Sequence, residues 1–88
     1  MTLHVLISGK VQGVFYRAEA KEQAKTLGIK GWVKNTTDDK VEAIVSGSEE
    51  NLRQFIEWCR KGPRRAQVTD VVVTQISEGQ FDDFEVIR

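Results

Sequence analysis

The 88-residue sequence is short of most of what would mark a metalloprotein, a redox protein or a secreted one: it holds one cysteine, one histidine and one proline. A lone Cys59 excludes an intramolecular disulfide, and with His4 as the one histidine no Cys/His zinc or iron cluster can be assembled. An excess of charge of one sign is lacking too. Its 13 basic residues balance 13 acidic ones, a formal net charge of +0, which argues against nonspecific binding to a nucleic-acid backbone. No hydrophobic run approaches the roughly 18 residues of a membrane span. Met1 leads into a short alternating segment rather than the basic start and apolar stretch of a secretory signal. Repeats, linkers and low-complexity segments are absent. The expectation is a single domain over residues 1–88, in the reducing cytoplasm, with no membrane and no nucleic acid among its partners and a monomer as the default state. What remains, 40% hydrophobic and 30% charged, suits a folded chain with a modest core rather than a disordered one.

Residues 2–8 alternate, with Leu3, Val5 and Ile7 on one face and His4, Leu6 and Ser8 on the other, the period of a strand. Residues 18–27 are rich in Ala, Glu, Lys and Gln, with Ala20, Ala24 and Leu27 on one stripe, and Gly28 ends that helix. Residues 29–35 read as a second strand. A polar turn over 36–40 leads into the alternation Val41, Ala43, Val45, and so into a hairpin. Ser48 before Glu49 and Glu50 predicts an N-cap; Leu52, Phe55, Ile56 and Cys59 then fall at i, i+3, i+4 and i+7, and Gly62-Pro63 is a stop signal. Residues 68–76, rich in β-branched side chains, read as a fourth strand; a turn at Ser77-Glu78-Gly79-Gln80 precedes a short strand around 84–87. Trp32, Phe55 and Phe84 are expected in the core, with Trp58 off the helical stripe and partly exposed.

The order βαββαβ plus a short C-terminal strand predicts an α+β fold, a ferredoxin-like split βαβ sandwich with a mainly antiparallel sheet and both helices on one face. A right-handed crossover through the first helix makes the first two strands parallel. With the hairpin strand between them they end about 10 Å apart, which sets the loop after the first strand opposite Asn35. That loop, Gly9-Lys10-Val11-Gln12-Gly13-Val14-Phe15-Tyr16-Arg17, runs from a strand end to a helix start. Gly13 permits positive φ, so successive amides can turn into an anion-binding nest beside the positive end of the helix. Arg17 adds a planar two-pronged donor suited to two phosphate oxygens. Neither the Walker loop nor the dinucleotide glycine motif is present.

The same loop followed by Gly28-Ile29-Lys30-Gly31-Trp32-Val33-Lys34-Asn35 resembles the acylphosphatase family, and the resemblance continues through Val41-Glu42, Gly47, Phe55, Gly62-Pro63, Ala66, Val68 and Phe84-Glu85-Val86-Ile87. Departures are mild: Tyr16 stands where the family often has Phe, and Asp38-Asp39 occupies a turn where glycine is common. The resemblance implies hydrolysis of the mixed anhydride of a small-molecule acyl phosphate, without metal or organic cofactor. The amides of Gln12, Gly13, Val14, Phe15, Tyr16 and Arg17, with the Arg17 side chain, would hold the phosphoryl oxygens, and Asn35 would orient the attacking water. Arg17 and Asn35 are thus the expected catalytic residues.

Other residues read more plainly. Lys10 is a loop charge, Thr36 a turn hydroxyl, His4 a strand residue, Cys59 a small core residue, and Lys61, Arg64 and Arg65 a solvated helix end. An RNA recognition module shares this element order but needs aromatics on a central strand, and residues 41–47 contain none. A noncatalytic anion-binding domain, like the acylphosphatase-like start of hydrogenase-maturation carbamoyltransferases, is the remaining alternative. Those chains continue into zinc-binding domains and tend to have glycine where Phe15 stands.

Overall fold

A computed structural model of the chain describes residues 1–77 and 79–88. Its elements, in chain order, are β1 (Thr2–Lys10), α1 (Tyr16–Thr26), β2 (Lys30–Asn35), β3 (Val41–Ser46), α2 (Glu49–Lys61), β4 (Gln67–Ile76) and β5 (Phe84–Ile87). The Ser77-Glu78-Gly79-Gln80 turn expected from the sequence includes Glu78, which lies outside the described residues. The strands form one sheet in the order β4-β1-β3-β2-β5.

Because β3 is antiparallel to both β1 and β2, those two run in the same direction with β3 between them, as the crossover argument requires. Strand β4 is antiparallel to β1, whereas β5 pairs parallel with β2, so the sheet is mixed. The direction of β5 follows from the path of the chain. Strand β4 ends at the edge of the sheet where β2 begins, and a strand that restarts from that edge must run with β2.

Pleating sorts the sheet into two faces. Leu3, Val5 and Ile7 of β1, Val33 of β2, and Val41, Ala43 and Val45 of β3 join Ala20 and Ala24 of α1, and Leu52, Phe55 and Cys59 of α2, in one buried cluster with Phe84. Both helices therefore cover the same face. Ser48 caps α2 by accepting a hydrogen bond from the Asn51 amide at 3.1 Å. Phe55 and Phe84 are core residues, as expected, but Trp32 is not. It alternates with the buried Gly31 and Val33 and so points to the open face, half-buried, with the Lys34 amine 5.3 Å from its ring centre.

Strand β1 runs past the expected end because its register against β4 shifts between Ser8 and Gly9. This bulge requires glycine. Gly9 has φ of +125°, and a Cβ there would lie 2.0 Å from the Gln67 carbonyl oxygen.

The start of α1 is tied to the end of α2 by Tyr16, whose buried hydroxyl donates to the Cys59 carbonyl at 2.7 Å and whose ring lies 5.1 Å from that of Trp58. Continued helix would pair that carbonyl with the amide of residue 63, but Pro63 has none. Tyr16 supplies the missing donor. Tyr16→Phe is accordingly expected to cost about 1–3 kcal/mol, the penalty for a buried acceptor left without a partner, read as a lower urea midpoint at unchanged m-value. An unchanged midpoint would show that the bond contributes nothing.

Candidate active site

Val11 and Val14 are buried and pin the loop between β1 and α1 onto the core. Between and after them the backbone alternates in hand. Gly13 has φ of +73° and Phe15 +66°, while Gln12 and Val14 stay on the ordinary negative side. Successive peptide units of opposite hand turn their amides toward one concave side. Among the described residues, none of the main-chain N–H groups of Gln12, Gly13, Val14, Phe15, Tyr16 and Arg17 donates to a protein acceptor, so together they form a row of free donors at the positive end of α1. A Cβ on Gly13 would meet nothing within 4 Å. The need for glycine there is conformational, not steric.

Two side chains close the distance to Asn35, the last residue of β2. On one side, the Gln12 side-chain amide donates to the carbonyls of Thr36 at 3.0 Å and Lys40 at 2.8 Å, clamping the loop onto the β2–β3 turn. On the other, Arg17 Nη1 donates to the Ile87 carbonyl at 3.3 Å, and Ile87 stands in register beside Lys34. Asn35 lies between these two attachments. It falls on the same sheet face as Val33, the face the loop and helices cover. Its Oδ1 is buried and has no hydrogen-bond partner among the described residues.

The structure thus brings the expected residues to one end of the sheet, but it divides their parts. Gly13, Val14 and Tyr16 offer main-chain donors only, since the Val14 and Tyr16 side chains are buried in the core. Gln12 offers its amide to the nest and its side chain to the turn, a clamping role not read from the sequence. Thr36 is a turn hydroxyl, as expected: it accepts from the Lys40 amide at 3.0 Å and donates to the Asp38 carboxylate, which holds that carboxyl below its usual range. Asp39, with φ of +68°, takes the left-handed position that made glycine natural in this turn.

A hollow of about 280 Å³ opens beside the loop, lined by Phe15, Arg17, Ala18, Val86 and Arg88. Among the described residues, Arg17 and Arg88 line it and no acidic side chain does. A larger, mainly apolar groove of about 380 Å³ lies at the other end of β1, where Met1, Leu3, Ile56 and Val73 border it, and it holds none of the candidate residues. His4 bonds Glu42 at 2.7 Å on the open sheet face, away from the loop. Cys59 is buried, and burial pushes its thiol up to about 12, so it is no nucleophile at neutral pH. No helix among the described residues is long and apolar enough to cross a membrane.

Comparison with known proteins agrees with the fold. The family model for acylphosphatase matches residues 3–86. The chain is 44% identical over 87 residues to a protein of Methylococcus capsulatus named acylphosphatase, covering 98% of this chain and 95% of that one. Among solved structures it superimposes on an acylphosphatase from Coxiella burnetii with a TM-score of 0.94 and 37% identity, covering 98% of this chain and 90% of that one. An acylphosphatase from Bacillus subtilis gives a TM-score of 0.94 at 32% identity, covering 99% and 98%.

Proposed function

The chain belongs to the acylphosphatase family and is a hydrolase acting on acid anhydrides; on that premise we propose that the loop amides of residues 12–17 and the Arg17 guanidinium grip the phosphoryl group of an acyl phosphate while Asn35 aims the water that attacks it. The observation that carries this reading is the pairing of unmet needs. Among the described residues, a row of main-chain donors lacks acceptors, and across from it a buried Asn35 carbonyl oxygen lacks a donor. A phosphoryl dianion satisfies the first and a water molecule the second.

The chemistry asks for little more. The leaving group is a carboxylate, whose conjugate acid has a pKa near 4, so no protein acid has to protonate it. Phosphoryl transfer passes through a loose transition state, with charge spread over the equatorial oxygens, and the main requirements are positioning and charge stabilisation. Amides turned inward by the alternating backbone are already oriented for those oxygens, and the Arg17 fork can take two of them. The water's hydrogen donates to Asn35 Oδ1, which leaves an oxygen lone pair directed at phosphorus. As the phosphorus–oxygen bond to the carboxylate breaks and the bond to water forms, the water's protons remain on the substrate's own phosphate, which leaves as dihydrogen phosphate, and no titrating side chain is required for this step. A single buried cysteine suits a reducing compartment.

The direct test is release of phosphate from benzoyl phosphate by the purified protein in the presence of a chelator. Turnover is expected with chelator present, along with far slower hydrolysis of an alkyl phosphate ester, whose alkoxide leaves only with help. No turnover of benzoyl phosphate would overturn the assignment.

A further inference from the structure

Phe15 occupies a position that packing and backbone preference both disfavour. It is the N-cap of α1, with φ of 66° and ψ of 20° and no side-chain cap. Left-handed backbone is strained for a bulky residue, and glycine or asparagine would adopt it more readily. Packing returns nothing for this cost: the ring is 71% exposed, more than any other large hydrophobic side chain among the described residues. The ring borders the same hollow as Arg17, and its companions there include the apolar Ala18 and Val86.

The acyl group of the substrate is joined to phosphorus through one bridging oxygen. With the phosphoryl group held by the loop and Arg17, the hollow that Arg17 itself lines is open space beside that grip into which an acyl group can extend. We propose that the Phe15 ring is the contact for the acyl group, and that it makes the enzyme favour acyl phosphates with flat or apolar acyl groups over small ones such as acetyl phosphate. This rests on the phosphoryl-gripping role given to the loop above. A ring at the rim can stack on a flat acyl group and shed water from both surfaces, which an acetyl methyl group is too small to exploit.

The experiment measures kcat/KM for benzoyl phosphate and acetyl phosphate in the parent protein and in Phe15→Ala, Phe15→Leu and Phe15→Tyr. The benzoyl-to-acetyl ratio is expected to fall about tenfold in Phe15→Ala, by less in Phe15→Leu, and to return in Phe15→Tyr. Damage to the loop common to both substrates cancels in the ratio. Inhibition by inorganic phosphate reports separately on the phosphoryl grip. If phosphate inhibition weakens while the ratio holds, Phe15 shapes the loop and the proposal is overturned; an unchanged ratio with unchanged inhibition overturns it as well. Either result leaves the phosphoryl assignment standing. A parent protein that hydrolyses neither substrate would remove both. Should Phe15→Ala fail to fold, the contrast between Phe15→Leu and Phe15→Tyr decides alone.

Discussion

Replacing Arg17 with alanine is expected to lower kcat/KM for benzoyl phosphate by about 10³-fold or more, the scale on which a transition-state arginine acts in phosphoryl transfer, which is about 4 kcal/mol. The structure gives this side chain little else to do. It makes one hydrogen bond, at 3.3 Å to the Ile87 carbonyl, in an exposed setting, and no ion pair among the described residues. Loss of a single exposed bond should cost the fold no more than about 1 kcal/mol. The variant should therefore melt close to the parent while losing nearly all activity. Arg17→Lys keeps the charge but loses the planar fork, so it should recover only part of the rate. Full activity in Arg17→Ala would end the assignment.

Asn35→Ala should cost on the order of 10²-fold in kcat, the usual effect of removing one positioned hydrogen-bonding group from a transition state. Here stability should move the other way. The Asn35 carbonyl oxygen is buried with no partner among the described residues, an arrangement that burdens the folded state by roughly 1–3 kcal/mol unless water relieves it. Alanine removes that burden, so the variant is expected to be at least as resistant to urea as the parent. A less stable variant with an ordinary rate would make Asn35 a turn residue and nothing more. Opposite changes in activity and stability are the mark of a group kept for chemistry.

Much of this was legible in the residues. The helix stripe of Leu52, Phe55 and Cys59, the Ser48 cap and the alternation in β1 and β3 follow from periods that local sequence carries, and the crossover rule then placed Asn35 at the loop's end of the sheet. The parts that were not legible depend on partners far along the chain. The clamp from Gln12 to Thr36 and Lys40 spans 24 and 28 residues, and nothing near Gln12 announces it. Trp32 lies outside the core because alternation sets it opposite Val33, and an indole outweighs pleating in a reading by hydrophobicity alone. The direction of β5 depends on which edge of the sheet β4 leaves. The left-handed backbone at Phe15 is hidden because an aromatic side chain is the last that propensity would put there.

The buried thiol beneath Tyr16 has a consequence for how this catalyst tolerates its surroundings. Peroxide attacks thiolates, and phosphatases that depend on a reactive cysteine fall silent when that sulfur is converted to sulfenic acid. Here the sole sulfhydryl is sealed in the core and held protonated well above physiological pH, and the hydrolytic step as proposed calls on amides, a guanidinium and a carboxamide, none of them sulfur. Oxidative stress that shuts down cysteine-dependent dephosphorylation should leave the turnover of this anhydride running.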